Sequence, residues 1–314
     1  MQLIRPFKHI LTKATFKTKY RLTVNLKPLQ DTPLTPPFII MGIYRSGTTL
    51  TTSLVEALGV DMGAETHKFQ AIGNLAYLNP EGFQENFLLN DIGRYILYKC
   101  GGSGVRFPDF NKISNLELSS FDNTDFAYYS IKNLKDERVD SEIRKQVLSQ
   151  YNISNLNQYI CDYFNTSCWG FKDVHCGIYL PIYHKLWTEA KFICVFRHPS
   201  SFLNSATQVS KQVSLETWIE YYTRVIKVEE NTPIRLYWIN YEDLLSKDES
   251  TLRGLTAFIH NTTQTKLSYN LDTILSLIKP SLSKYSNNNN QKNDLGTASE
   301  LYEKLKQKSC QKMV

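Results

Sequence analysis

Residues 37–50 have the sequence PFIIMGIYRSGTTL, in which an apolar run leads into a short turn that contains two glycines. The run at 39–43 is apolar and mostly β-branched, which is typical of a buried parallel strand. Leucines then recur at helical spacing, at Leu50, Leu54 and Leu58. The stretch therefore predicts a strand, a tight turn and a helix.

The turn has the spacing of a nucleotide-binding P-loop, with Gly42 followed by four residues and then Gly47. Thr48, however, stands where a P-loop carries its lysine. The free amides and the positive dipole end of a helix N-terminus bind anions, and glycine lets the backbone approach them closely. We therefore predict a phosphate site that differs from that of a nucleoside triphosphatase.

Side chains in the turn would strengthen such a site. Ser46, Thr48 and Thr49 carry hydroxyl donors, and Arg45 carries a fixed charge with fork geometry. The alternative is a strand-to-helix turn that binds no ligand.

A second segment of the same kind lies in the middle of the chain. Residues 190–196 predict another buried strand, and Pro199 suits the first turn of a helix that follows it. Arg197 at the strand end and Ser205 two helical turns later could face the same edge of the sheet. Arginine binds phosphate in bidentate fashion, and serine adds a hydrogen bond. A solvated turn is the alternative.

Both segments resemble those of sulfotransferases that use 3′-phosphoadenosine 5′-phosphosulfate (PAPS). The sequence RSGTTL at 45–50 is similar to the loop that holds the 5′-phosphosulfate in that family. The resemblance implies that Arg197 and Ser205 contact the 3′-phosphate. It also implies that Lys284 lies in a segment that closes over the nucleotide. The matched segments together cover about residues 36–260.

Three further segments are similar to elements of the family. They are WGFKD at 169–173, NPEGFQEN at 79–86 and INYEDLL at 239–245, although Val174 replaces the proline of the family's Lys-Asp-Pro element. Sulfuryl transfer needs in-line placement and neutralisation of charge on the leaving oxygen. Arg45 is the first candidate for that role.

Lys172 is the second candidate, because the lysine of Lys-Asp-Pro approaches the transferring sulfonate in the tyrosylprotein sulfotransferases that this segment resembles. The alternative for Lys172 is a lysine paired with Asp173 or lying in water.

Three residues are competing candidates for the base that takes the proton from the acceptor hydroxyl. Glu65 lies in GAETH, which resembles the Gly-Glu-Glu-Thr-Arg of the tyrosylprotein enzymes, Glu85 lies in the GFQE segment, and His67 has an ordinary pKa near neutrality.

The length of 314 residues and an apolar content of 42% suit a single large α/β domain over 1–314. We expect a three-layer α/β/α fold with a mainly parallel sheet, similar to that of P-loop NTPases and sulfotransferases. The predicted parts are a core at about 36–265, a helical cap at 103–160 that shapes the acceptor pocket, a flexible loop at 281–298 and a terminal helix at 299–310.

Charge and cysteine usage limit the partners and the compartment. The net charge of +6 suits a protein that holds an anionic nucleotide. The sequence lacks the basic patches interleaved with aromatic residues that are typical of nucleic-acid-binding proteins, so we expect no nucleic-acid partner. Lysines interrupt every apolar run in the first thirty residues, so we expect no membrane span there. Six scattered cysteines favour reduced thiols and a cytoplasmic location. His175, Cys176 and His184 lack metal-ligand spacing, so we expect no metal site.

The motifs together predict a PAPS-dependent sulfotransferase whose acceptor is a hydroxyl on a glycan, a lipid or a small metabolite. A P-loop kinase or other NTP-using enzyme is one alternative, and the absent lysine counts against it. A nucleotide-binding protein that keeps the fold without catalysis is another. The acceptor and the oligomeric state have no sequence signature.

Overall fold

A parallel sheet forms the centre of the molecule. The computed structural model describes residues 35–73, 76–77, 79, 82–117, 126, 129, 136–152, 155–164, 168–263, 271–280 and 295–310. Within these residues the sheet has four strands, in the spatial order β2-β1-β3-β4 and all parallel. The strands are β1 (Phe38–Met41), β2 (Gly170–Lys172), β3 (Lys191–Phe196) and β4 (Leu236–Asn240).

The register brings the two predicted phosphate segments to one edge of the sheet. Ile40 of β1 lies opposite Lys172 of β2 and Ile193 of β3. Because the strands are parallel, the segments that follow β1, β2 and β3 all leave at the carboxyl edge, where open α/β sheets bind ligands.

Side chains along β1 alternate between two hydrophobic cores. Ile39 and Met41 belong to one core, and Phe38 and Ile40 belong to the other. Alternation with a period of two is what a strand buried on both faces requires. The two cores confirm the predicted three-layer α/β fold.

Helices cover both faces of the sheet. The first, tenth and eleventh helices contribute to the core around Ile40, and most of the others pack on the core around Ile39. In chain order the helices are α1 (Thr48–Ala57), α2 (Phe87–Lys99), α3 (Phe110–Ser114), α4 (Ser141–Gln150), α5 (Leu156–Tyr163), α6 (Cys176–Leu186), α7 (Pro199–Ala206), α8 (Leu215–Asn231), α9 (Tyr241–Leu245), α10 (Glu249–Thr263), α11 (Leu271–Leu277) and α12 (Thr297–Cys310).

The start of α2 is fixed by a side-chain cap. The Asn86 side chain accepts hydrogen bonds from the backbone N–H groups of Leu88 and Leu89, at 3.1 and 3.2 Å. Such a cap stabilises a helix by about 1 kcal/mol and sets the direction in which the chain enters it. The cap therefore fixes the position of Glu85, the residue immediately before it.

The predicted cap, the predicted loop and the terminal helix are only partly within the described residues. Helices α3 and α4 lie within the predicted cap at 103–160, and α5 begins inside it and ends three residues beyond it. The terminal helix expected at 299–310 is α12, which begins two residues earlier. Most of the loop predicted at 281–298, including Lys284, lies outside the described residues. Among the described helices, none has both the length and the apolarity needed to cross a bilayer.

Candidate active site

The loop after β1 has a backbone that requires glycine at two positions. Gly42 and Gly47 have φ angles of 147° and 95°, in the region that side chains rarely adopt. A Cβ on Gly42 would lie 2.2 Å from the carbonyl oxygen of Val195, and one on Gly47 would lie 2.0 Å from Cδ2 of Tyr241. Arg45 also has a positive φ, of 68°. The loop is therefore folded tightly against β3 and the start of α9.

Two tyrosines of α8 form hydrogen bonds with this loop. The Tyr221 hydroxyl accepts hydrogen bonds from the N–H groups of Gly42 and Gly177, both at 3.1 Å. The Tyr222 hydroxyl donates to the carbonyl of Val195 at 2.7 Å, so the 3.0 Å contact with Ser46 is donated by the serine. Burial raises the pKa of both phenols well above its ordinary value, which keeps them neutral.

Neither tyrosine was predicted from the sequence to belong to the site. Both lie on the buried face of an amphipathic helix, where an aromatic residue usually contributes packing alone. The hydroxyl of Ser46, which we expected to bind the anion, is instead directed to Tyr222.

Replacing Tyr221 with phenylalanine should destabilise the protein. Two buried N–H groups would lose their acceptor, and an unsatisfied buried donor costs about 1–3 kcal/mol. We expect the free energy of unfolding, measured by urea denaturation, to fall by about 2–4 kcal/mol. Tyr98→Phe is the matched control, because the Tyr98 side chain is exposed and should tolerate the change. Equal stability of the two variants would contradict the supporting role of Tyr221.

One group of cationic and hydroxyl side chains lies between the loop and α7. Arg45 Nε donates to Ser205 Oγ at 2.9 Å, and Arg197 Nη1 donates to the carbonyl oxygen of Arg45 at 3.3 Å. The structure thus brings together Arg45 and the two residues that we expected to contact the 3′-phosphate.

Arg197 is held by the corner that follows β4. Its guanidinium carbon lies 4.9 Å from the centroid of the Tyr241 ring, and its Nε lies 4.0 Å from Glu242 Oε1. Burial lowers the pKa of Arg197, and the negative charges that Tyr241 and Glu242 can carry oppose that effect. Since Gly47 packs on the same ring, Tyr241 joins Arg197 to the glycine loop.

A second group surrounds the end of β2. Lys172 is only 2% exposed, and its Nζ donates to Thr49 Oγ1 at 3.1 Å and to the carbonyl oxygen of Phe83. The same Nζ lies 3.3 Å from Glu85 Oε1, and Glu85 is itself 6% exposed. Burial lowers the pKa of Lys172, the Glu85 carboxylate opposes this, and the charge of Arg45 adds to the lowering. The charge of Arg45 therefore acts on both groups.

Asp173 has partners other than Lys172. It accepts hydrogen bonds from the hydroxyls of Tyr179 and Tyr183 and, at 2.9 Å, from the N–H of His175. Burial raises the pKa of Asp173 to about 6, although these donors favour the charged form. Asp173 thus fixes the backbone that follows Lys172, and the carboxylate that pairs with Lys172 is that of Glu85.

The structure does not bring Glu65 and His67 into the group around Lys172. The side chain of Glu65 is 67% exposed and pairs with Lys68 at 2.5 Å. Lys68 also contacts Glu56 at 3.2 Å, near the end of α1 that is farther from the glycine loop. His67 is buried, with Nδ1 2.9 Å from the Tyr159 hydroxyl, and burial lowers its pKa. Of the three candidate bases, Glu85 alone contacts Lys172.

The described residues contain no group of three or more His, Cys, Asp and Glu side chains that could hold a metal ion.

Thr48 is buried at the start of α1, where the first N–H groups of a helix have no intrahelical partner. The amides of Thr48 and Thr49 therefore have no intrahelical acceptor and can donate to an anion.

Residues 36–264 match the model of the sulfotransferase family. The sulfotransferase domain of the olefin synthase from Synechococcus PCC 7002 has a similar structure, with a TM-score of 0.50, 18% identity, and coverage of 89% of this chain and 98% of that chain. Sulfotransferase STF1 from Mycobacterium tuberculosis H37Rv gives a TM-score of 0.39 and 13% identity over 92% of this chain and 80% of its own. No curated protein sequence matches the chain significantly.

Proposed function

Because the chain belongs to the sulfotransferase family, we propose that it transfers a sulfuryl group from PAPS to a hydroxyl acceptor and releases 3′,5′-adenosine bisphosphate. The observation that carries the proposal is the pair of side-chain groups at the carboxyl edge of the sheet. One group contains Arg45, Arg197 and Ser205, and the other contains Lys172 and Thr49. Two anion sites on either side of a glycine loop match a donor that is phosphorylated at both ends.

The group around Arg197 and the amides of the glycine loop would each hold one end of the donor. Arg197 and Ser205 would contact the 3′-phosphate, and the amides of the glycine loop would contact the 5′-phosphosulfate. Arg45 bonds Ser205 and its charge also reaches Lys172, so it would lie near both ends. Lys284, which the resemblance places in a closing segment, remains a proposed contact outside the described residues.

The group around Lys172 supports the chemistry of transfer. PAPS supplies an activated sulfonate on a phosphate leaving group. The Lys172 ammonium would neutralise the charge that develops as the bond between sulfur and the phosphate oxygen breaks, and the Thr49 hydroxyl would donate a hydrogen bond to it. Glu85 would take the proton from the acceptor hydroxyl while that oxygen bonds to sulfur. Glu85 is the best of the three candidate bases, because it alone lies within reach of Lys172.

A ligand-dependent shift in melting temperature tests the donor site. The bisphosphate product should stabilise the protein without magnesium, by about 2.7 kcal/mol when its concentration is 100 times its dissociation constant. Arg197→Gln should remove most of this shift. Arg253→Gln is the matched control, because Arg253 is exposed and its guanidinium pairs with Glu249 of the same helix. ATP with magnesium should give no shift.

Transfer of radiolabelled sulfate from PAPS then tests catalysis. Stabilisation by ATP with magnesium but not by the bisphosphate would favour a P-loop kinase. Binding of the bisphosphate without transfer to any of a broad panel of hydroxyl compounds would favour a nucleotide-binding protein that lacks catalysis.

A further inference from the structure

Arg94 is a half-buried cation of α2 for which the described part of the chain supplies no carboxylate partner. Its guanidinium carbon lies 5.3 Å from the centroid of the Phe69 ring. Across the part of the chain that the structure describes, Arg94 makes no ion pair with a carboxylate. Asp91, the nearest carboxylate along α2, pairs instead with Arg144 at 2.9 Å. The site therefore carries a positive charge that the described residues do not neutralise by direct contact.

Phe69 links Arg94 to the segment that carries Glu85. The backbone N–H of Phe69 donates to the carbonyl oxygen of Glu85 at 2.9 Å. Arg138 lies over both Phe69 and Phe83, with its guanidinium carbon 4.4 and 5.6 Å from the two ring centroids. Lys172 donates to the carbonyl oxygen of Phe83. Phe83 therefore contacts both Arg138 and the lysine of the Lys172–Glu85 pair.

The other two arginines at this ring already have partners. Arg138 pairs with Asp136, and Arg144 pairs with Asp91. Like charges that surround one ring in a region of reduced dielectric repel each other more strongly than they would in water. An added anion would relieve that repulsion at Arg94.

A second, independent feature on the same helix face is the side chain of Asn90. Asn90 is 1% exposed, and neither atom of its amide has a hydrogen-bond partner among the described residues. It precedes Arg94 by four residues, so the two side chains lie on one face of α2. An unsatisfied buried polar group costs about 1–3 kcal/mol, and a bound ligand would remove that cost.

His175 closes this region from the side of β2. A Cβ on Gly93 of α2 would lie 2.8 Å from Oδ2 of Asp173, and Oδ1 of Asp173 accepts the N–H of His175. Gly93, three residues after Asn90 on α2, therefore packs against Asp173, and the charge of Arg94 acts on His175. His175 Nδ1 is buried and has no partner among the described residues. Burial and the charge of Arg94 lower the pKa of His175 to about 3, so the imidazole is neutral and can donate one hydrogen bond.

We propose that Arg94, Asn90 and His175 bind an oxyanion group, a carboxylate or a sulfate, carried by the acceptor. The guanidinium supplies the charge, and the amide and the imidazole supply hydrogen bonds. The inference rests on the proposed function, since it assigns the acceptor to the acidic hydroxyl compounds. The hydroxyl to be sulfated would then face Glu85.

Equilibrium dialysis with radiolabelled inorganic sulfate tests the site directly. The bisphosphate product is present at saturation, so that the donor site is filled. We expect one saturable sulfate site, which Arg94→Gln weakens at least tenfold and acetate displaces. Arg253→Gln should leave sulfate binding unchanged, and Arg94→Lys should retain part of it because the charge remains. Affinity for the bisphosphate should be the same in all three variants.

Two outcomes would overturn the inference. One is the absence of saturable sulfate binding in the bisphosphate complex, and the other is binding that Arg94→Gln leaves unchanged. Displacement by sulfated but not by carboxylated compounds would identify the group as a sulfate. Failure of the proposed function is distinguishable: the bisphosphate would not bind or no sulfate would be transferred, yet one sulfate site would still depend on Arg94.

Discussion

Lys172→Met should lower kcat for sulfuryl transfer by about 10²–10³-fold, the usual effect of removing one group that stabilises developing charge. Affinity for the bisphosphate product should change by less than about threefold, because that ligand lacks the sulfonate that Lys172 would contact. The reason is positional: Nζ of Lys172 reaches Thr49 on one side and Glu85 on the other. Single-turnover transfer and calorimetric binding of the bisphosphate separate the two effects.

Lys68→Met is the matched control for this experiment. Lys68 and Lys172 are both 2% exposed, and both contact carboxylates. The partners of Lys68, however, are Glu56 and Glu65, away from the glycine loop. Lys68→Met should therefore leave kcat within about threefold of the wild type, the range expected for a residue that makes no transition-state contact. Equal loss of bisphosphate binding and turnover in Lys172→Met would assign Lys172 to donor binding instead of catalysis.

Stability must be measured alongside activity in Lys172→Met. Removing one partner of a buried ion pair leaves the other charge uncompensated, which costs about 3–5 kcal/mol. Lys172→Met/Glu85→Gln removes both charges and should recover part of that loss. A double variant that is folded but still inactive would assign the loss of activity to chemistry, since the fold would be intact.

The sheet and the glycine loop were predictable because they depend on local patterns. Complete burial of residues 38–41 follows from an uninterrupted run of apolar residues, and the positive φ angles at Gly42 and Gly47 follow from the residue type. The same logic located Arg197 at the end of β3. These features need only the periodicity of the chain and the conformational preferences of single residues.

Long-range partners were not predictable from the sequence. Lys172 and Glu85 are far apart in the chain and meet because β2 and the start of α2 lie together, which no sequence spacing encodes. The same holds for the Tyr221 hydroxyl and the amide of Gly42, 179 residues apart. Glu65 was selected because its segment resembles that of the tyrosylprotein enzymes. In the structure it pairs with Lys68, which also contacts Glu56 near the C-terminal end of α1.

Gly47→Ala should abolish donor binding, with a loss of at least about 100-fold in affinity for the bisphosphate, or at least about 2.7 kcal/mol. Two physical causes act together. The φ of 95° costs a residue with a side chain about 1–3 kcal/mol, and the new Cβ would lie 2.0 Å from Cδ2 of Tyr241. The ring cannot move away without releasing Arg197, which lies 4.9 Å from its centroid. Both halves of the donor site should therefore be disturbed by one methyl group.

Gly73→Ala separates the effect of backbone strain from that of the contact with Tyr241. Gly73 also has a positive φ, of 54°, but nothing lies within 4 Å of a Cβ placed on it. Gly73→Ala should lower the free energy of unfolding by about 1 kcal/mol and leave bisphosphate affinity unchanged. Calorimetric titration and urea denaturation of both variants provide the comparison. If Gly47→Ala bound the bisphosphate as well as Gly73→Ala does, the close packing of Gly47 on Tyr241 could not be what joins the glycine loop to Arg197.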